Sequence, residues 1–241
     1  MNLPVRLFCL PHAGGDARIF GRWSPYLRRG IELHPLDRAG QGSRVAEPPS
    51  ASWEAAVADL ATRITAAVDG PWALYGHSMG GLLGYELLCR LAETLPPPRW
   101  FFVGGCRPPQ LGRRHPVLHE LPDREFLTAL SELGGIPPEL LGDEDLVAYF
   151  AAGVRADFRQ YEQYVFRPRE VRPACPLTAF VGSEDPITDP AEAARWAELM
   201  AGPVAGTTLA GAGHFLVVER PAEIVAVINS VLGPTAPGPA G

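Results

Sequence analysis

Short apolar runs alternate along the chain with longer segments whose apolar residues recur every three or four positions. Each short run ends at glycine, proline or polar residues, which is typical of buried strands, and the runs are residues 5–10, 31–37, 72–77, 100–106, 176–185 and 206–211. The longer segments predict helices at residues 52–68, 80–95, 191–200 and 221–232. This alternation indicates an α/β protein with a mostly parallel central sheet flanked by helices.

The alternation stops between about residues 107 and 172. Here the pattern predicts three consecutive helices without an intervening strand, at residues 123–133, 143–154 and 156–165. An all-helical insertion into such a sheet is most simply a lid over one edge, and we refer to residues 107–172 as the helical insertion. We expect one domain over residues 1–232 that contains this insertion, followed by a disordered tail at residues 233–241.

Composition narrows the class of protein further. The 241 residues are 46% hydrophobic, which is enough for one well-buried core, and the net charge of −6 argues against nucleic-acid or anionic membrane partners. The four scattered cysteines contain no C-x-x-C pair, so neither a metal site nor a disulfide framework is indicated. No apolar run reaches the roughly 20 residues of a membrane span. We therefore expect a cytoplasmic protein, monomeric by default, without a cofactor or metal.

The clearest chemical motif is Gly-His-Ser-Met-Gly at residues 76–80, where the strand at 72–77 should turn sharply into a helix. In that context the pattern predicts a nucleophile elbow, because the glycines permit the tight turn and the serine hydroxyl is pushed above the sheet. The alternative is a glycine-rich connection with an idle serine. The flanking strand and helix favour the first interpretation, with Ser78 as the nucleophile.

A serine hydroxyl is a poor nucleophile at neutral pH and needs a positioned base. Among the six histidines, only His214 follows the final predicted strand. Asp185 lies just past the end of the strand at 176–185, where an acidic side chain can reach the carboxyl edge of the sheet. The order Ser78, Asp185, His214 is that of the α/β-hydrolase fold, which we therefore predict together with a catalytic triad.

Other residues compete for these roles. Asp189 is better explained as a helix N-cap because Pro-Ala-Glu-Ala-Ala follows it, Glu184 should point elsewhere, and Asp157 falls within the helical insertion. His77 lies inside the elbow, where packing or a local hydrogen bond explains it. The remaining histidines without a surrounding motif are interpreted as surface or satisfied side chains: His34, His115 and His119.

The oxyanion of an acyl-transfer intermediate needs backbone donors. One should be the N–H of Met79, which follows the nucleophile. The other should come from the loop Pro-His-Ala-Gly-Gly at residues 11–15, and we assign it to Ala13, with His12 shaping the loop. Its glycines would let the backbone approach the reacting carbon. The alternative is a simple strand-to-helix turn.

Taken together, several segments resemble one family over residues 3–232, namely the stand-alone type II thioesterases of polyketide and nonribosomal peptide biosynthesis. The segments are LFCLPHAGGDARIF (7–20), YGHSMGG (75–81), LGGIPPELL (133–141), RADFRQYEQY (155–164), GSEDPIT (182–188) and GAGHF (211–215). The elbow alone would indicate only the α/β-hydrolase fold. The loop at residues 11–15 and the two segments of the helical insertion are far more specific.

The resemblance implies a hydrolase that removes acyl groups from the phosphopantetheine arm of acyl or peptidyl carrier proteins. It implies Ser78 as nucleophile, His214 as general base and then acid, and Asp185 as the orienting carboxylate, with the Met79 and Ala13 amides as oxyanion donors. The sequence departs from the family at residues 37–44, DRAGQGSR, where a Pro-Gly-Arg-Gly type of turn is common. This departure leaves open whether Arg38 or Arg44 guides the pantetheine arm.

Substrate-binding residues are not identified by the sequence. Apolar side chains of the helical insertion either enclose the acyl chain or simply pack between helices: Phe126, Leu127, Leu130, Leu133, Phe150 and Phe158. Arginines flanking the insertion either dock acidic carrier proteins or form solvated surface: Arg113, Arg114, Arg167, Arg169 and Arg172. Three other functions compete with thioester hydrolysis, namely a serine esterase, an acyltransferase or cyclase, and a non-catalytic carrier-binding scaffold.

Overall fold

A computed structural model describes residues 3–136 and 141–233. Within this part of the chain six strands form one sheet: β1 (Val5–Leu10), β2 (Ile31–Pro35), β3 (Trp72–His77), β4 (Phe101–Gly104), β5 (Leu177–Gly182) and β6 (Val204–Leu209). Their order is β2-β1-β3-β4-β5-β6, and every neighbouring pair is parallel. The predicted α/β fold is confirmed.

Helices connect and cover these strands. They are α1 (Trp53–Ala67), α2 (Met79–Leu91), α3 (Asp123–Glu132), α4 (Glu144–Gln163), α5 (Pro190–Ala193), α6 (Leu216–Glu219) and α7 (Pro221–Leu232). In addition, 3-10 helices lie at Ala17–Tyr26, Gly42–Arg44, Pro109–Leu111 and Ala194–Glu198. The Ser52 hydroxyl accepts a hydrogen bond from the Ala55 amide at 3.2 Å and so caps the N-terminus of α1.

The sheet has a hydrophobic core on each face, because successive side chains of a strand point in opposite directions. In β1, Phe8 and Leu10 pack with α1 and α2, whereas Leu7 and Cys9 pack with the 3-10 helix Ala17–Tyr26 and with α6 and α7. All four side chains are fully buried. A strand buried on both faces appears in the sequence as an unbroken apolar run, and this explains why β1 and β3 were predicted with their observed bounds.

Several elements differ from the prediction. The second and third helices expected in the helical insertion are one helix, α4, since the exposed Gly153 weakens a helix by only about 1 kcal/mol and does not end it. The helix expected at residues 191–200 is the short α5 followed by a 3-10 helix, and β6 lies two residues earlier than expected. The long 3-10 helix that follows Asp16 was not predicted at all.

The helical insertion lies between β4 and β5, which are neighbours in the sheet. Its helices α3 and α4 bury a separate small core around Phe126, Leu127 and Ala151. Because strands from both sides of the insertion belong to one sheet, the arrangement supports the prediction of one domain over residues 1–232. Residues 234–241 of the tail predicted at 233–241, and residues 137–140 of the LGGIPPELL segment, lie outside the described residues.

None of the described helices combines the length and apolar character that a membrane span requires. The described histidine, cysteine and acidic side chains form no group of three or more that could hold a metal ion.

Candidate active site

The turn from β3 into α2 places Ser78 in a strained backbone conformation. Its φ of 52° makes it the one non-glycine residue with positive φ among those described. The turn is fixed by a 2.8 Å hydrogen bond from the Ser78 amide to the Gly104 carbonyl. A Cβ at Gly76 would lie 2.2 Å from the Gly80 oxygen, and one at Gly80 would lie 2.3 Å from the Leu10 oxygen. The glycines of the motif are therefore required by close backbone approach.

The structure brings the three predicted triad residues together. His214 Nε2 lies 3.0 Å from Ser78 Oγ, and its Nδ1 lies 3.0 Å and 3.1 Å from the two carboxylate oxygens of Asp185. The Asp185 side chain is fully buried, and its Oδ1 also accepts the amides of Ile187 and Thr188. This is the nucleophile, base and orienting-acid geometry that serine chemistry needs.

The competing acidic residues have other partners. The Asp189 carboxylate accepts the Ala191 amide at 2.7 Å and caps α5, as predicted. Glu184 is exposed. Asp157 is buried but pairs with Arg38. Among these carboxylates, only that of Asp185 contacts His214 within the described residues.

The predicted oxyanion donors lie beside Ser78. Ala13 and Met79 both line the cavity that Ser78 and His214 face. Met79 is the first residue of α2, so its N–H has no acceptor within the helix and lies at the positive end of the helix dipole. In the neighbouring loop the Gly14 amide donates to Asp157 and the Gly15 amide to the His12 carbonyl. These bonds engage the Gly14 and Gly15 amides, which is compatible with Ala13 as the loop's donor for a bound oxyanion.

A cavity of about 210 Å³ opens beside Ser78 beneath the helical insertion. Its walls are mostly apolar side chains, among them Leu130, Leu133, Phe150, Phe158, Ile187 and Phe215. Four of the six apolar residues singled out in the insertion thus reach the cavity. The other two, Phe126 and Leu127, are fully buried in the core between α3 and α4, as the packing alternative holds.

Two further histidines lie close to His214. The ring of His77 is 5.4 Å from that of His214, and the ring of His12 is 5.9 Å from that of His77. Burial lowers the pKa of His12 to about 4 and holds the pKa of His77 well below its usual value. Both rings are therefore neutral near pH 7 and add no positive charge beside the base.

These lowered pKa values predict a loss of stability in mild acid. Histidines in the unfolded chain take up protons near pH 6.5, whereas these two rings in the native protein do not. The free energy of unfolding is therefore unaffected by the two rings above this pH and decreases below it. The expected contribution of His12 is roughly 1.4 kcal/mol per pH unit between about pH 6 and pH 4, and the lowered pKa of His77 acts in the same direction. Urea unfolding at pH 7, 6 and 5 measures it, and His12→Gln should reduce the slope. Identical slopes for both proteins would contradict the assignment.

Other polar residues of the insertion are engaged in structural contacts. His119 Nδ1 contacts the buried Glu162, and His115 Nδ1 lies 3.6 Å from the same carboxylate while its ring lines the cavity. His119 is thus satisfied, whereas the position of His115 at the cavity was not foreseen. Its sequence context gave no signal, because Glu162 lies more than forty residues away.

Three of the five arginines considered for docking also have partners. Arg114 pairs with Glu192 at 2.8 Å, Arg169 pairs with Glu86 at 2.6 Å, and Arg113 donates to the Glu162 carbonyl. These bonds give the side chains a structural role. The geometry therefore adds no support to a docking role for them.

The two arginines of residues 37–44, the segment that departs from the family pattern, also form ion pairs within the protein. Arg38 is 3% exposed and pairs with Asp157, and Arg44 pairs with Glu47 and Asp59. Both guanidinium groups are directed to protein carboxylates. This arrangement favours a structural role over guidance of a pantetheine arm.

The fold and the serine-centred site identify the class of enzyme: the protein is a serine hydrolase with the α/β-hydrolase fold. More particularly, the chain belongs to the thioesterase family, since the family model for the thioesterase domain matches residues 5–232. The resemblance found in the sequence to type II thioesterases of polyketide and nonribosomal peptide pathways is confirmed.

Individual relatives agree with this placement. The chain is 34% identical over 230 residues to thioesterase PikA5 of Streptomyces venezuelae, covering 92% of this chain and 79% of the relative. It is 36% identical over 236 residues to the AMB antimetabolite synthetase AmbE of Pseudomonas aeruginosa, covering 97% of this chain but only 11% of that protein. The structure of the type II thioesterase BorB from the borrelidin cluster matches with a TM-score of 0.84 and 32% identity, covering 96% and 95% of the two chains.

Proposed function

We propose that the protein hydrolyses acyl thioesters carried on the phosphopantetheine arm of acyl or peptidyl carrier proteins in polyketide or nonribosomal peptide assembly. The observation that carries the proposal is the hydrogen-bonded series Ser78, His214, Asp185 at the mouth of an apolar cavity. Family membership supplies the reaction class. Relatives in such pathways support the carrier-bound form of the substrate.

In the first half-reaction Ser78 Oγ attacks the thioester carbonyl while His214 Nε2 takes its proton. The new C–O bond forms a tetrahedral oxyanion, which the amides of Met79 and Ala13 stabilise. The C–S bond then breaks, and the departing sulfur takes up the proton held by His214, which leaves the imidazole neutral again. Because a thiolate is a good leaving group, cleavage needs little help from this proton, so positioning and oxyanion stabilisation carry most of the catalysis.

In the second half-reaction water, activated by the same histidine, attacks the acyl-serine. The proton returns from His214 to Ser78 as the C–O bond of the ester breaks and the acid is released. Asp185 keeps His214 in the tautomer that leaves Nε2 unprotonated, because its carboxylate accepts the Nδ1–H.

The helical insertion is proposed to act as the lid that encloses the acyl group. Its side chains make the cavity wall apolar, and the volume of about 210 Å³ is below the roughly 300–1,000 Å³ of pockets for drug-sized ligands. We therefore expect short or medium apolar acyl groups to be favoured. The phosphopantetheine arm and the carrier protein would remain outside this cavity.

A panel of acyl-pantetheine and acyl-carrier thioesters with matched oxygen esters tests the proposal. We expect kcat/KM to be at least about tenfold higher for the thioesters than for the oxygen esters, and to fall once the acyl chain outgrows the cavity. Mass spectrometry of the products should show the free acid. Equal turnover of oxygen esters would favour a general esterase, and an ester or amide product would favour an acyltransferase.

A further inference from the structure

A buried ion pair connects the helical insertion to the loop at residues 11–15, which we call the oxyanion loop. Asp157 of α4 and Arg38, which follows β2, meet at 2.5 Å between Oδ2 and Nη2, with side chains 5% and 3% exposed. The two residues lie 119 positions apart in the chain. A charge pair so thoroughly removed from water requires good geometry and further hydrogen bonds for both partners.

Those further bonds go to the oxyanion loop. Arg38 donates to the carbonyls of Pro11 and His12 at 3.1 Å each, and to the Gly15 carbonyl at 3.4 Å. Asp157 Oδ2 accepts the Gly14 amide at 2.7 Å. The ion pair therefore holds backbone groups on both sides of Ala13.

Helix α4 is also seated directly on this loop. Gly14 has a φ of +75°, and a Cβ there would lie 2.7 Å from a methyl carbon of Val154, one turn before Asp157 on α4. Glycine is needed both for this conformation and for this approach. The position of α4 and the path of the loop are thus linked by packing as well as by charge.

An ion pair that only held α4 in place would not need to contact the oxyanion loop. The contacts made here fix four residues of the oxyanion loop, two on each side of Ala13, and Ala13 itself lines the cavity that contains Ser78. Fixed donors stabilise a developing oxyanion without reorganisation, whereas a mobile donor loses most of this effect.

We propose that Asp157 and Arg38 are positioning residues, which orient the Ala13 amide and make the oxyanion loop competent only while α4 is seated on it. This inference rests on the proposed function. When the helical insertion is displaced from the oxyanion loop, the Ala13 amide is no longer held in position to stabilise the oxyanion. Acyl transfer is then efficient only when the insertion covers the acyl group.

Asp157→Ala tests the proposal with an acyl-pantetheine thioester as substrate. We expect kcat to fall by about 10²-fold with KM changed less than about threefold, because the interaction lost belongs to the transition state. The affinity for a trifluoromethyl ketone, which forms an oxyanion adduct on serine, should fall by a similar factor. Asp157→Asn keeps an oxygen for the Gly14 amide and should lose less, which also provides a test if the alanine variant does not fold.

Asp123→Ala is the matched control. It removes a 2.6 Å ion pair between Asp123 of α3 and Arg155, which lies on α4 like Asp157. This pair joins α4 to α3 rather than to the oxyanion loop. We expect its kcat to remain at the wild-type value. Wild-type kcat in both Asp157 variants, an effect on KM alone, or an equal kcat loss in Asp123→Ala would overturn the proposal.

Hydrogen exchange provides a measurement that does not depend on turnover. Amides of residues 11–15 should exchange faster in Asp157→Ala than in the wild type, and should be unchanged in Asp123→Ala. If the wild type hydrolyses no thioester, the proposed function fails, while the exchange rates still decide whether Asp157 orders the loop. Unchanged exchange in Asp157→Ala would refute the inference alone.

Discussion

Replacing Ser78 by alanine is expected to lower kcat for acyl-thioester hydrolysis by about 10⁴- to 10⁶-fold, the effect seen when a serine hydrolase loses its nucleophile. The reason is the geometry of the elbow: the Ser78 hydroxyl lies 3.0 Å from His214 Nε2 and faces the apolar cavity. Without it no acyl-enzyme forms. Because the turn is held by the Ser78 backbone amide rather than by its hydroxyl, we expect the variant to fold.

Steady-state hydrolysis of an acyl-pantetheine thioester measures the effect, and intact-protein mass spectrometry after rapid acid quenching detects the acyl group on the wild type only. Ser230→Ala is a suitable control, because Ser230 lies on the exposed side of α7 and its hydroxyl bonds only locally, to Val227. Substantial hydrolysis by the Ser78 variant would mean that another group is the nucleophile, and the proposed mechanism would be abandoned.

The sequence was sufficient for those parts of the site that depend on local constraints. Gly76 and Gly80 are required because backbone atoms approach where a Cβ would be, and this local requirement is visible as a motif. Asp185 and His214 follow strands at one edge of a parallel sheet, so their order along the chain was enough to bring them near Ser78.

Bounds of elements were predictable where both faces of a strand are buried. The six residues of β3 are all buried and were predicted with their exact limits. In β6, at the edge of the sheet, only Leu209 is buried, so the apolar signal in the sequence is weak. The predicted strand therefore lies two residues later in the chain than the observed one. The long 3-10 helix Ala17–Tyr26 escaped prediction because it contains Pro25, which interrupts a helical pattern in the sequence.

Contacts between distant segments were beyond the sequence. Asp157 was considered only as a rival for Asp185, and its pairing with Arg38 and the Gly14 amide joins residues more than 110 positions apart. Charge alone does not reveal which arginine and which carboxylate will be buried together. The same holds for His115, whose place on the cavity wall depends on the packing of α4.

Asp185→Asn is expected to lower kcat near neutral pH by about 10⁴-fold, as found when the triad acid of a serine hydrolase is made neutral. The Asp185 carboxylate accepts three hydrogen bonds, from His214 Nδ1 and from the amides of Ile187 and Thr188. In asparagine the oxygen can keep the backbone amides, and the NH₂ group then faces the imidazole. His214 would accept at Nδ1 and carry its proton on Nε2, where it cannot take the proton of Ser78.

Asp189→Ala is the control that separates catalysis from folding. Asp189 lies four residues further on and caps α5, so its loss should lower the free energy of unfolding by about 1 kcal/mol and leave kcat unchanged. Thermal unfolding and the kcat of both variants, measured with the same thioester, complete the comparison. The assignment of Asp185 as the orienting acid would be wrong if Asp189→Ala lost activity as severely as Asp185→Asn, or if Asp185→Asn retained its activity. In either case the contact of Asp185 with the His214 ring would not explain the catalytic effect.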